Sequence, residues 1–409
     1  MSKLIPSALI SVLCLSGFYC SAQQPDAKRI QQHIKILASD SLEGRGTGTA
    51  GGTLALAYIQ DQFKQLGLQP KGDGKLFTQK FAFKSGVHGT GNEGTAYNVV
   101  GYLDNKAANT IIIGAHYDHL GLGNEGSSLE ANSGGKIHNG ADDNSSGTAG
   151  VLELARYFKT NKVTEKNNFL FITFSGEELG LFGSKFFADH PTVDFGKVNY
   201  MINMDMIGRL DPKKGLEVMG TGTSPFWEPL LKKLSTTEVP IKTDSSGTGP
   251  SDHTSFYLKN MPVLHFFTGS HSDYHKPSDD WDKINFEGEA SVLNVIIKVI
   301  EASDKEPRLA FLTTKSKTTM GTRSAFKVTL GVMPSYSSDE VGLKVDGVTD
   351  GRPASKAGIL TGDVITKIGD YTIKDIEEYM AVLGKYEKGQ TVPVILKRKG
   401  ETLTLSLTF

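Results

Sequence analysis

Thr110-Ile111-Ile112-Ile113-Gly114-Ala115-His116 decides the fold class. Three isoleucines in succession leave no polar face, so the run reads as a strand buried on both sides with a histidine at its carboxyl end. The same signature recurs along the chain. Asn168 to Phe174 reads as a strand followed by Glu177 and Glu178, and Val198 to Met204 as one followed by Asp205. Pro262 to Phe267 is another, followed by a loop that carries His275. Helical patterns separate these runs. Leu54, Tyr58, Phe63 and Leu66 lie at near-helical spacing before Gly67, and further helices are read at Ser146 to Thr160, Glu178 to His190 and Phe286 to Ala302. The alternation predicts an α/β fold with a mostly parallel, mixed central sheet flanked by helices.

In open α/β sheets ligands bind beyond the carboxyl ends of the strands. His116, Glu178, Asp205 and His275 all fall there. Asp143 joins them from a glycine-flanked loop, Gly140-Ala141-Asp142-Asp143-Asn144-Ser145-Ser146-Gly147, that opens a helix. Several ionised carboxylates do not share a pocket without a cation, because like charges raise one another's pKa. Two histidines and three carboxylates suit zinc, with one carboxylate bridging two ions about 3.5–4 Å apart. The expectation is two Zn2+ per chain, other divalent metals being compatible with the same donors. Such ions lower the pKa of bound water towards about 7. A further carboxylate that binds no metal then takes the water's proton. Six other histidines, His33, His88, His119, His138, His190 and His271, are read as structural or surface residues.

Gly114-Ala115-His116-Tyr117-Asp118, the Gly140 to Gly147 loop, Ser175-Gly176-Glu177-Glu178 with Leu179 to Ser184, Asn203-Met204-Asp205-Met206-Ile207-Gly208 and Tyr274-His275 resemble, in order, the motifs of the co-catalytic two-zinc aminopeptidase family. Secreted bacterial aminopeptidases belong to that family, and transferrin receptor and glutaminyl cyclase are relatives. The segment from Leu37 to Arg45 resembles the start of its catalytic domains. The resemblance implies that Asp143 bridges the metals, that His116 and Asp205 complete one ion's ligands, and that Glu178 and His275 complete the other's. Glu177 becomes the general base, Tyr274 an oxyanion stabiliser, and Asp118 the residue that orients His116. Ser251-Asp252-His253 resembles a further motif, which places Asp252 and His253 near the pocket. The implied function is an exopeptidase, foremost an aminopeptidase acting on peptide substrates. Carboxypeptidase or glutaminyl cyclase activity, or a non-catalytic peptide-binding scaffold, are the alternatives.

After Asp304 the pattern changes. A polar stretch reads as a linker, and short apolar runs separated by Gly, Pro and Asp follow it, with one helix at Ile376 to Leu383. Leu330-Gly331-Val332-Met333 and the stretch from Ala357 to Ile365 resemble a PDZ domain. In that family the amides after the Leu-Gly turn capture a terminal carboxylate, which implies a C-terminal peptide ligand. The division reads as signal peptide 1–22, peptidase domain 26–304, linker 305–324 and PDZ-like domain 325–409.

With 44 Lys plus Arg against 45 Asp plus Glu, the chain has no electrostatic footprint for nucleic acid. Lys3, an apolar run from Leu4 to Tyr19 and the small residues Cys20-Ser21-Ala22 form a signal-peptide pattern, with lipidation of Cys20 as the alternative outcome. The run is too short and interrupted to serve as an anchor, so the mature chain is expected to have no transmembrane segment. Export to the periplasm or the extracellular space follows. Both cysteines, Cys14 and Cys20, lie in the cleaved segment, leaving the core and bound metal to hold the mature fold.

Overall fold

The computed structural model describes residues 24–84, 93–124, 128–130, 132–314, 328–334, 340–348, 351–374 and 376–409. The signal peptide, Cys20, His88 and the later part of the linker lie outside them. Two sheets form.

The strands of the first sheet are β1 (Gln69–Pro70), β2 (Thr78–Lys84), β3 (Glu93–Leu103), β4 (Asn109–His116), β5 (Asn167–Phe174), β6 (Val198–Met204), β7 (Leu216–Met219), β8 (Ile241–Thr243) and β9 (Val263–Phe267). Their order is β1-β3-β5-β4-β6-β9-β7-β8, with β2 paired to β3. The helices between and beyond them are α1 (Ala27–Leu37), α2 (Ala50–Gln65), α3 (Gly147–Thr160), α4 (Phe182–Asp189), α5 (Trp227–Leu234), α6 (His253–Tyr257) and α7 (Phe286–Ser303).

The isoleucine run explains why β4 lies at the centre. Ile111 and Ile113 enter the core shared with α1, α3 and α7, whereas Ile112 enters a separate core with Met201, Phe256 and Val263 on the other face. A strand buries successive side chains on opposite faces, so three adjacent isoleucines require cover on both. Burying each contributes about 1.5–3 kcal/mol. Strand β4 pairs in parallel with β5 and β6, and β6 with β9. The carboxyl ends of the four strands named for functional residues therefore share one edge. The sheet is mixed, as expected, and its antiparallel pairing lies on the flanks, where β3 meets β5, β2 and β1, and β7 meets β9.

The second sheet contains β10 (Val332–Pro334), β11 (Leu343–Val348), β12 (Val364–Ile368), β13 (Tyr371–Thr372), β14 (Thr391–Arg398) and β15 (Glu401–Thr408), with α8 (Pro353–Ala357) and α9 (Ile376–Leu383). Its order, β10-β11-β12-β14-β15, puts β10 at an edge. It encloses a core of its own that includes Leu330, Val345, Ile365 and Leu396.

Residues 305–314 are docked rather than free. Leu309 packs on the main core, the Leu312 amide donates to the Thr223 carbonyl, and Thr314 hydrogen-bonds the Tyr257 hydroxyl. The chain thus stays attached to the first sheet for ten residues after Asp304.

Candidate metal centre

His116 ends β4, Asp205 follows β6 and Glu177 and Glu178 follow β5. The Asp143 loop is drawn onto this edge by close backbone contacts. A Cβ on Gly147 would lie 2.4 Å from the Met204 carbonyl oxygen, so only glycine lets α3 start this close to the end of β6. Gly140, at φ +52°, has no room for a side chain either, since a Cβ would meet the Asp143 carbonyl at 2.1 Å. Asn144 completes the attachment by donating to the Met204 carbonyl and accepting from the Gly147 amide.

The two oxygens of Asp143 face different partners. Its Oδ1 lies 3.5 Å from His116 Nε2, which is itself 3.3 Å from Asp205 Oδ1. Its Oδ2 lies 3.2 Å from His275 Nε2, which is 3.1 Å from Glu178 Oε2. Tetrahedral zinc with bonds of about 2.0–2.1 Å separates its ligand atoms by about 3.3 Å, and these spacings match it. Carboxylates and imidazoles in this arrangement suit zinc, and one oxygen of Asp143 is turned towards each His–carboxylate pair. The neighbouring Asp142 points elsewhere, accepting from the Gly208 amide at 2.8 Å and lying 3.1 Å from His271.

Glu177 lines the same cavity. Burial pushes its carboxyl well above the ordinary range, with Glu178, Asp252 and Asp205 adding to the effect against the opposing pull of His116. One oxygen of Glu177 also comes within 4.8 Å of ligand atoms of His116 and Glu178. Asp252 is fully buried, which raises its carboxyl to about 7, with Asp118 and Asp205 adding to the rise and His116 opposing it. His253 is buried further back and stacks on His265, with ring centroids 4.5 Å apart. Tyr274 stacks on His275 at 3.9 Å and packs with Met206, Met219 and Phe267 to form an apolar wall facing the carboxylates.

Asp118 meets His116 through its backbone carbonyl rather than its carboxylate. His116 Nδ1 is 3.1 Å from the Asp118 carbonyl oxygen and 3.8 Å from its carboxylate. That carboxylate is engaged elsewhere, accepting from the Thr47 hydroxyl at 2.8 Å and the Glu177 amide at 3.3 Å. The carbonyl holds the ring, and the carboxylate holds the backbone that presents Glu177.

Three supporting residues carry no role in the sequence reading. Arg45 is fully buried and donates to the carbonyls of Leu37, Tyr117, Asn139 and Gly140 at 2.6–2.9 Å. It thereby joins the residue after His116 to the start of the Asp143 loop. Burial lowers it only to about 10, against the pull of Asp143 and Asp118, so it remains charged at neutral pH. Asp279 accepts from the amides of Asp142 and Asp143, and Arg209 bridges Asp279 to Asp273, two residues before His275. The Leu37 to Arg45 motif carried a signal for Arg45. Arg209 and Asp279 had none, since their partners are distant in the chain.

A family model for peptidase family M28 matches residues 98–300, which carry all five candidate ligands and Glu177. Over that span the chain belongs to peptidase family M28. A PDZ domain model matches residues 328–409. Among curated members with similar sequence, leupeptin-inactivating enzyme 1 of Streptomyces exfoliatus is 25% identical over 285 residues, 68% of this chain and 57% of that protein. Aminopeptidase YwaD of Bacillus subtilis is 29% identical over 235 residues, 53% of this chain and 46% of that protein. The chain thus spans about half the length of the curated relatives it matches. In fold, the M28 unit is similar to the LapA aminopeptidase of Legionella pneumophila (24% identity, TM-score 0.52, covering 69% of this chain and 73% of that one). It is similar also to a glutaminyl cyclase of Bacteroides thetaiotaomicron (16% identity, TM-score 0.55, covering 68% of this chain and 99% of that one). The same fold therefore occurs in proteins named for hydrolysis and for cyclisation.

Proposed function

We propose that the protein is a zinc aminopeptidase that removes N-terminal residues from peptides, using two ions. The observation that carries this reading is Asp143, whose two oxygens face two separate His–carboxylate pairs beside a further, half-buried glutamate. His116 and Asp205 would hold one ion, His275 and Glu178 the other, and Asp143 both. When bound, such ions polarise the scissile carbonyl and acidify water. Glu177 takes the proton of the attacking water and returns it to the leaving amine. Tyr274, on the cavity wall, donates to the developing oxyanion. Carboxylates lining the cavity, such as Glu177, hold the substrate's free α-ammonium group, which places the first peptide bond at the reacting centre.

A panel of aminoacyl chromogenic substrates, free and blocked at the amine, tests this reading. Hydrolysis confined to free-amine substrates is expected. Equal cleavage of blocked substrates contradicts it, as does ammonia release from N-terminal glutamine without hydrolysis.

The division into a peptidase unit, 26–304, and a PDZ-like unit, 325–409, belongs to the same proposal. In the second unit the Leu330 side chain is buried in the core, so its backbone and that of Gly331, Val332 and Met333 form the proposed carboxylate site. Gly331 has φ +73°, and a Cβ there would meet Arg352 at 2.3 Å. The edge position of β10 supports addition of a peptide strand. Peptides with free C-termini should bind more tightly than their amidated forms, and equal binding in a pull-down contradicts carboxylate capture.

A further inference from the structure

His119 lies three residues after His116, yet it is not one of the five candidate ligands. It is 2% exposed. Its Nδ1 is 2.6 Å from Glu178 Oε1, while Glu178 Oε2 faces His275 at 3.1 Å. A ligand pair on tetrahedral zinc stands about 3.3 Å apart. The His275 contact fits that spacing, whereas the His119 contact has the length of a short hydrogen bond. Ligand atoms of His119, Asp143 and Glu178 lie within 4.8 Å of one another, but the 3.8 Å from Nδ1 to Asp143 Oδ2 and the 2.6 Å to Glu178 straddle the spacing one shared tetrahedral ion would set. A carboxylate oxygen only accepts, so the shared hydrogen belongs to Nδ1.

The ring has little freedom to leave this position. A Cβ on Gly140 would lie 2.4 Å from His119 Cδ2, so the ring is pressed against the backbone of the Asp143 loop. The ring also meets His275 edge-on, with centroids 5.8 Å apart. The His119 amide donates to the Arg45 carbonyl, which fixes the main chain as well.

We propose that His119 is a positioning residue for one half of the metal centre. By donating to Oε1 it occupies one lone-pair direction of Glu178 and presents Oε2, alongside His275 and Asp143 Oδ2, to a single ion. The inference rests on the two-ion reading above, and it makes the halves of the site unequal. In the His116–Asp205 half the side-chain donor to Asp205 is the Ser251 hydroxyl, not an imidazole.

Calorimetric titration of metal-stripped protein with Zn2+ tests it. Wild type should bind two equivalents. His119→Ala should bind one ion with unchanged affinity and the other about 10–100-fold more weakly, the usual cost of losing a group that orients a ligand. His119→Asn places an amide N–H near the position of Nδ1 and should recover most of that loss. A general loss of structure would weaken both ions together and would not be rescued by asparagine, so either result overturns the proposal. Two wild-type affinities in His119→Ala overturn it as well. Fewer than two equivalents in wild type overturns the two-ion reading and this inference with it, and is distinguished by appearing before any substitution.

Discussion

Glu177→Gln will retain wild-type metal content and lose turnover by about 10²–10⁴-fold, the usual contribution of a general base. The substitution keeps the shape of the side chain and removes its capacity to accept a proton. Glu177 is well placed for that loss to show. It lines the cavity beside Glu178, its amide is held by Asp118, and burial with three neighbouring carboxylates favours its protonated form. These features describe a group that readily takes a proton. The geometry also allows a rival role, because Glu177 comes within 4.8 Å of ligand atoms of His116 and Glu178. Metal content separates the two. A base loses turnover with both ions retained, and a ligand loses an ion. Measuring kcat and metal content on the same preparation decides, and wild-type turnover in the variant contradicts the assignment.

The parts of the fold legible in the sequence are those where one side chain's chemistry fixes one position. Three adjacent isoleucines demand burial on both faces, and β4 has it. His116 and Asp205 are visible because a polar residue after an apolar strand is conspicuous. The helix read from Glu178 begins instead at Phe182. Gly180 and Leu181 take positive φ, and the turn they make leaves both glutamates outside the helix. A mixed sheet was legible, but which strands run antiparallel was not, because a strand–helix alternation does not report the direction of strands added at an edge, and β7 and β8 are only four and three residues long. His119 was read as structural because its partner, Glu178, is 59 residues away. Arg45 escaped assignment for a related reason. Its acceptors are backbone carbonyls, which any residue offers and no sequence pattern marks.

Removing the Asp143 carboxylate should have a comparable effect through a different route. Asp143→Ala takes one oxygen from each half of the centre at once, leaving His116 with Asp205 and His275 with Glu178 as separate two-residue remnants. Structural and catalytic zinc sites in proteins use three or four protein ligands. The variant should therefore bind less than one ion per chain and have no measurable turnover. Loss of a single ion, with the other bound as in wild type, would show that Asp143 serves only one half.

Both expectations depend on how many ions the wild-type chain holds. Elemental analysis of the gently purified, full chain measures that number directly. The account predicts close to two zinc per chain, whereas one ion per chain or trace metal would contradict it.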